Sequence, residues 1–419
     1  MTGFTTATLT AQVRRLTTLD TPKVVIITGL KGVGKSTLLQ LLYEVHQTAQ
    51  PRSTFERSFA SVGYGPRITG EAVLCEIRTR SATLSEPVTW FLDEIDQLPD
   101  AEKLLMALRA EPHLQVFATS TRRLTLPCAP AADVLTVSLF PLTFSDFLAL
   151  YRDRHPDATR EAAWGVFLAQ GALPALALLN WKECQTQDWR HTWFDSGMWG
   201  ALQGEEPIRD PVLFGRLMDF MRTHTGCPLS ARSISRSLSS PEGRVATETV
   251  VKYLERFVAT HWLIPVEREA LREGKRLRTA PLFYAGEHGL LPSSVTRPHD
   301  ERALTWARIE TIVLLALLRR GFDVTMGYLG RERVGFVTRR DGLVQLIRVT
   351  SRDERRDARL LMAKAAAVLP SSARKTLLSL DTQSDTDEDI DEVNVLDFLL
   401  DEEGSDALRM LMPESSMGA

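Results

Sequence analysis

The sequence predicts an α/β fold: a parallel sheet wrapped by helices, followed by a helical segment and two smaller modules. Three observations predict it. The apolar run Val24-Val25-Ile26-Ile27 leads into Gly29-Leu30-Lys31-Gly32-Val33-Gly34-Lys35-Ser36, and an apolar helix with Leu38, Leu39, Leu41 and Leu42 follows. A second apolar run, Val88–Leu92, ends on Asp93-Glu94. Strand-like segments then alternate with helical ones as far as Ser138, the pattern of a parallel sheet.

Bulk properties set the bounds. A chain of 419 residues is long for one core and implies two to four domains. The net charge of -3 gives no whole-chain reason to expect nucleic acid, so any such contact has to be a local patch. Four cysteines (Cys75, Cys128, Cys184 and Cys227) lie far apart without metal-ligand spacing and read as thiols of a reducing cytosol. Met1 to Asp20 lacks an apolar core of signal-peptide length, and no apolar stretch is long enough to span a bilayer. A cytoplasmic protein without membrane contact is expected.

In chain order, Leu9, Val13 and Leu16 fall at helical spacing before the first strand. The glycine-rich stretch fits the phosphate-binding pattern GxxxxGK[ST]. Gly29 and Gly34 let the backbone curl so that its N–H groups face one concavity. Lys35 reaches the outer phosphates, Ser36 offers its hydroxyl to magnesium, and the helix N-terminus adds its dipole. The binding set is therefore Gly29, Leu30, Lys31, Gly32, Val33, Gly34, Lys35, Ser36 and Thr37. Residues 53–87 are mixed: Gly63-Tyr64-Gly65-Pro66 marks a turn, and Ala72–Thr79 reads as helix.

Asp93-Glu94 at the tip of a buried strand is the second half of an ATPase signature. Asp93 is expected to hold magnesium opposite Ser36, and Glu94 to orient and polarise the attacking water. Ala101–Ala110 is a helix, and Leu114–Ala118 a strand ending in Thr119-Ser120-Thr121. Thr119 or Ser120 can sense a terminal phosphate there, or simply begin a turn. Arg122 and Arg123 can reach a phosphate or lie solvated. Val134–Ser138 adds a last strand.

Phe144 to Trp199 reads as a helical lid, with Phe147, Leu148, Leu150 and Tyr151 on one face and Ala162, Val166, Phe167 and Ala169 on another, stopped at Gly171-Ala172-Leu173-Pro174. The tryptophans Trp181, Trp189, Trp193 and Trp199 read as packing. Helices over Pro211–His224, Ser230–Leu238 and Ala246–Thr260, then β-like runs Trp262–Glu267 and Arg276–Tyr284, give the order of a winged helix. Ser230 and Thr247 stand as N-caps. Arg244 just before its third helix and Lys252 and Arg256 on it, with Lys275, Arg276 and Arg278 on the wing, are candidate DNA-phosphate contacts. Interleaved acids (Glu242, Glu248, Glu255, Glu269, Glu273) leave a protein-packing module as the other reading.

From Asp300 the order helix, three strands, helix, strand is that of a restriction-endonuclease-like α+β core. Asp341-Gly342 marks a tight hairpin. Pairing about it sets Gly335 opposite Arg348, with Thr350 on the same face. Those three positions should carry the acids and lysine of a metal-dependent nuclease, and none does. The domain is read as degenerate, without a metal site, and nuclease activity is not expected. Asp385–Asp389 reads as a solvated acidic loop.

As an ordered series these segments resemble a large prokaryotic family of predicted AAA-superfamily ATPases. That family combines an ATPase domain, a winged helix and a restriction-endonuclease-like C-terminal domain. The resemblance rests on Gly29–Ser36, Phe91–Leu98, Ala118–Thr121, Leu139–Phe144, Gly171–Pro174, Thr249-Val250 with Tyr253-Leu254, Phe283–Leu290, Glu310, Val334–Val337 and Val393–Leu399. It implies a P-loop AAA-type parallel sheet, with Lys35, Ser36, Asp93, Glu94 and Thr119 or Ser120 in the roles given above. The expected domains are 1–143 (ATPase core), 144–205 (lid), 206–299 (winged helix) and 300–419 (degenerate nuclease-like). Where the family carries Gly-Arg, this chain has Ala132-Asp133, which removes a candidate arginine and implies slow hydrolysis. The expected function is an ATP-binding, magnesium-dependent ATPase working as a switch, with a protein partner for the C-terminal domain. The alternative is an ATP-regulated DNA-binding regulator. Oligomeric state is not legible.

Overall fold

A computed structural model describes residues 6–18, 23–60, 68–84, 86–127, 129–130, 132–178, 198–203, 207–241, 243–292, 298–381, 385–386 and 390–401. The turn at Gly63–Pro66, Cys128, Cys184, Trp181, Trp189, Trp193 and most of the acidic loop at Asp385–Asp389 lie outside the described residues. The chain forms two compact units. One comprises Met1–Pro141, Leu173–Ile208 and Ala259–His261; the other comprises Leu142–Ala172, Arg209–Val258 and Trp262–Ala419.

The first unit begins with α1 (Ala7–Thr18), β1 (Val24–Thr28), α2 (Lys35–Ala49), β2 (Thr54–Ser58), α3 (Gly70–Ser81) and β3 (Val88–Asp93). It continues through α4 (Ala101–Ala110), β4 (Leu114–Ser120) and β5 (Val134–Ser138). The five strands are all parallel in the order β2-β3-β4-β1-β5. Every residue of β1 is buried, as expected of a strand covered on both faces. Register aligns the strand tips: Ile27 pairs with Thr119, Thr28 with Ser120, and Leu92 with Ala118. The glycine-rich loop, the acid pair and the polar tip of β4 therefore emerge together at the C-terminal edge, where open parallel sheets bind ligands. Phe91 and Phe117 stack at 5.1 Å, and Tyr43 and His46 of α2 pack edge-on against Phe91. These contacts hold the helix that follows the loop against the strands that carry the acids. α1 packs on α2, and its Leu9 and Leu16 are buried.

β2 escaped the sequence reading. It is a five-residue edge strand whose burial alternates, and Glu56 and Arg57 hide its apolar content. α3 extends the anticipated helix by two residues at each end and is capped by Thr69, whose Oγ1 accepts from Ala72 N at 3.3 Å.

α5 (Phe144–Arg154) and α6 (Arg160–Gln170) belong to the second unit, whereas the short α7 (Pro174–Leu178) and α8 (Trp199–Gln203) return to the first. Thr143 and Thr159 cap α5 and α6, accepting from Asp146 N and Ala162 N. α6 stops at Gly171, whose φ of +102° suits glycine. The next amide, Ala172 N, donates to the buried Glu287 carboxylate at 2.7 Å.

The second unit goes on with α9 (Pro211–Thr223), α10 (Ala231–Leu238) and α11 (Thr247–Ala259), then β6 (Leu263–Val266), β7 (Arg268–Ala270), β8 (Lys275–Arg276) and β9 (Leu282–Ala285). Ser230 caps α10 in a reciprocal box with Ser233. Thr247, expected as an N-cap, is instead the first helical residue, and Val250 N donates to Ala246 O. The run Arg276–Tyr284 is not one strand. β9 pairs antiparallel with β6, while β7 and β8 form a separate hairpin.

That hairpin joins a sheet of eight strands completed by α12 (Pro298–Arg319), β10 (Asp323–Leu329), β11 (Glu332–Arg340), β12 (Leu343–Val349), α13 (Arg355–Ala366), β13 (Arg374–Ser379), β14 (Asp385–Thr386), β15 (Asp391–Asn394) and α14 (Val395–Leu400). Its order is β14-β15-β13-β12-β11-β10-β7-β8. Segments 206–299 and 300–419 thus share one hydrogen-bonded sheet through the parallel pair β7–β10. Glu269 of β7 is buried there, accepting from Thr325 Oγ1 at 2.6 Å and from Arg339 Nη1 at 2.7 Å. Asp341 and Gly342 both have positive φ, +48° and +81°, as the hairpin turn requires. Phe336 pairs with Ile347, in the expected register, and a Cβ on Gly335 would stand 3.3 Å from Arg348 Cα. Among the described residues, no helix is long and apolar enough to cross a membrane.

Candidate functional site

The site is built where β1, β3 and β4 end. Two glycines shape the loop. A Cβ on Gly29 would stand 2.2 Å from the Leu139 carbonyl oxygen, so no side chain fits there. Gly34 has φ +101° at the start of α2, a left-handed conformation that leaves its surroundings open. Lys35 is buried and turns back into the loop, its Nζ donating to the carbonyls of Gly29 at 2.9 Å and Leu30 at 3.0 Å. Burial lowers its pKa to about 8, against the opposing pull of Asp96 and the other nearby acids. Ser36 is exposed at the helix N-terminus, and Thr37 beside it is half-buried.

The acids stand opposite. Ser36 Oγ donates to Asp93 Oδ1 at 3.0 Å, which brings the two magnesium-binding candidates together. Thr119 Oγ1 donates to the same Asp93 oxygen at 2.5 Å and accepts from Glu94 N at 2.8 Å. One hydroxyl therefore bridges both acidic residues. Ser120 does not join them, because its hydroxyl donates to the Arg122 carbonyl within its own turn. Glu94 sits at φ +52°, a left-handed conformation uncommon for a residue with a long side chain. Its carboxylate pairs with Lys31 Nζ at 3.2 Å.

Two groups near the loop escaped the sequence reading. Asp96 is nearly buried, and its Oδ2 accepts from the backbone N–H of Thr121 and Arg122, both at 3.2 Å. It fastens the tip of β4 to the turn after β3. Burial pushes its pKa up, while Lys35 and the two backbone donors pull it back. The signal was present in the run Asp93-Glu94-Ile95-Asp96, but a third acid reads as an ordinary turn residue. His261, 233 positions from Thr28, places Nε2 2.8 Å from Thr28 Oγ1. Burial, with Arg123 and Lys35 nearby, lowers its pKa to about 3, so it is neutral at physiological pH. No local pattern could have announced that contact.

Ala132-Asp133 requires a correction. These residues precede β5 at the end of the sheet away from the loop: Asp133 O accepts from Val24 N, and Asp133 Oδ2 from Arg109 Nη1 at 2.9 Å. A five-residue strand, about 15 Å long, separates them from the phosphate loop. An arginine there would lie far from this chain's own phosphate loop.

The oxygens of Ser36 and Asp93 are hard donors that suit magnesium, which commonly takes one or two protein ligands and completes its shell with phosphate and water. The loop and donor set thus fit a magnesium–nucleotide complex. Elsewhere, Arg244 and Lys252 are exposed and Arg256 half-buried, with Glu248 and Glu255 exposed on the same helix. Arg276 of the expected wing is engaged by Glu267 and Asp323. The three nuclease positions carry Gly335, Arg348 and Thr350. Among the described residues, no cluster of three or more His, Cys, Asp or Glu could hold a metal ion.

Strand order, loop and acid pair define an AAA-type, ATPase-like α/β domain. Residues 21–148 match a family model described as an AAA domain. An uncharacterized protein of Haemophilus influenzae is 21% identical over 337 residues, covering 79% of this chain and 83% of its own. Among solved structures, a Walker-type ATPase of Pyrococcus abyssi is similar at 13% identity and TM-score 0.41, over 65% of this chain and 92% of that one. DnaA of Aquifex aeolicus bound to AMPPCP is similar at 12% identity and TM-score 0.29, over 59% and 84% of the two chains.

Proposed function

We propose that the protein binds ATP with magnesium and hydrolyses it, working as a nucleotide-driven switch. The observation that carries this reading is the Thr119 hydroxyl bridging Asp93 and Glu94 directly opposite Ser36 and Lys35. Loop N–H groups and Lys35 bind phosphate oxygens, and Lys35 exchanges its two carbonyl partners for them. Ser36 and Asp93 hold the metal, which when bound neutralises phosphate charge. Thr119 fixes the spacing of the two acids, and Glu94 positions and polarises the attacking water. The segments 144–205, 206–299 and 300–419 are the proposed lid and interaction modules that read the nucleotide state.

The test is direct. Lys35→Ala should abolish ATP binding by calorimetry, whereas Glu94→Gln should bind ATP but not turn it over. Equal hydrolysis by wild type and Glu94→Gln would sink the proposal.

A further inference from the structure

A second cavity lies in the eight-stranded unit. It has a volume of about 240 Å³, and its walls include Trp306, Phe336, Arg333, Arg348, Ser351 and Glu354. Gly335 and Thr350, at positions where a nuclease would carry an acid and the lysine, line it too. The chemistry is reversed there, because Arg348 stands in place of an acid and Arg333 adds a second guanidinium to the lining.

The two arginines differ in how they are satisfied. Arg333 is fully engaged: Nη2 donates to Glu310 Oε2 and Tyr284 Oη, both at 2.6 Å, and Nη1 to Gly226 O at 3.3 Å. Burial acts to lower its pKa, but Glu310 and its other neighbours raise it overall, so its charge is permanent. Arg348 spends only Nη1, on the carbonyls of Arg333 at 2.8 Å and Val334 at 2.7 Å. Its Nε is buried without a hydrogen-bond partner, and no carboxylate among the described residues pairs with it. The Nε–Nη2 edge is the side on which a guanidinium grips an oxyanion with two parallel hydrogen bonds.

Ser351 supplies an independent sign. It is 4% exposed, and its Oγ has no hydrogen-bond partner among the described residues. Buried hydroxyls are seldom left so. Of the two acids on the walls, Glu310 is neutralised by Arg333, and Glu354 is exposed.

We infer that this cavity binds a phosphate monoester, gripped by Arg348 and Ser351, with Trp306 and Phe336 supplying an apolar wall for the body of the ligand. A free metabolite and the 5′ end of a nucleic acid present the same head group.

The test uses the full chain carrying Lys35→Ala, so that the phosphate loop does not contribute and the outcome is independent of the ATPase reading. Calorimetric titrations with inorganic phosphate, a 5′-phosphorylated tetranucleotide and its unphosphorylated twin are compared. Saturable one-to-one binding of a phosphorylated probe is expected, weakened at least tenfold by Arg348→Gln and at least threefold by Ser351→Ala. Arg348→Lys, which keeps the charge but loses the fork, should also weaken binding and keeps the test open if Arg348→Gln fails to fold. Preference for the phosphorylated tetranucleotide over inorganic phosphate assigns the head group to a nucleic-acid end; equal binding assigns it to a small molecule. Absence of saturable binding by any phosphorylated probe, equal binding of the unphosphorylated twin, or affinity unchanged in Arg348→Lys and Ser351→Ala overturns the proposal.

Discussion

Glu94 and Lys31 hold each other: Lys31 Nζ lies 3.2 Å from Glu94 Oε1, so the carboxylate proposed to polarise water is tied to the glycine-rich loop. On the proposed function, phosphate arriving in the loop would compete for Lys31 and release Glu94. The nucleotide would thereby arm its own hydrolysis. Lys31→Ala should raise kcat by up to about fivefold, the ceiling set by a partly exposed ion pair of about 1 kcal/mol. Glu94→Gln should lower kcat by about 10²-fold or more. Steady-state phosphate release measures both, and a lower kcat for Lys31→Ala would refute the tether.

Lys35 makes nucleotide binding sensitive to alkali. Its pKa is about 8 in the free site against 10.5 for an unperturbed lysine. Below pH 8 both folded and unfolded chains carry the proton, and the cost of burying the charge is fully present. As pH rises from 8 towards 10.5 the folded chain binds fewer protons, so this group adds stability across that window. Phosphate beside Lys35 restores the proton. ATP affinity should therefore fall by up to about tenfold per pH unit above pH 8. Calorimetry at pH 8.5 in two buffers of different ionisation enthalpy should show proton uptake on binding; none would contradict the shift.

Thr119 is the bridge that spaces the acids. Thr119→Val removes a donor to Asp93 and an acceptor for Glu94 N, while Thr119→Ser keeps both. The valine variant should lose about 1–3 kcal/mol of stability from the unpaired groups and about tenfold or more in kcat, about 1.4 kcal/mol of barrier. The serine variant should recover most of both. Denaturant melts and turnover together check this, and Ser120→Ala, whose hydroxyl serves only its own turn, should change turnover far less.

Gly29 is the tightest point of the loop. A methyl group there meets the Leu139 carbonyl oxygen at 2.2 Å, so Gly29→Ala must push the loop from the segment that follows β5. A stability loss of about 1–3 kcal/mol is expected, together with loss of ATP binding. A variant with native melting temperature and affinity would show that the loop accommodates the group.

The first unit was largely legible because its signals are local. β1, β3 and β4 are mostly apolar runs, broken only by Thr89 and Gln115 before their tips, and the loop and acid pair sit where such strands must end. The β11–β12 register followed from Asp341-Gly342 alone. What stayed hidden depends on distance or on charge. β2 is an edge strand carrying Glu56 and Arg57, so its pattern is diluted. Lys31 reads only as part of the phosphate-binding set until Glu94 stands beside it. His261 reaches Thr28 only through the folded chain. The hairpin β7–β8 reads as a wing in sequence, since nothing in Arg268–Ala270 names β10 as its neighbour.

That last pairing bears on the order in which the chain is made. β7 leaves the ribosome before β10 has been synthesised, and Glu269 must wait for Thr325 and Arg339 before its carboxylate is satisfied. A nascent chain stalled near residue 299 would hold an open strand edge beside an unpaired buried acid. The middle and C-terminal segments therefore mature together: the last third of the chain completes the sheet that its middle third begins.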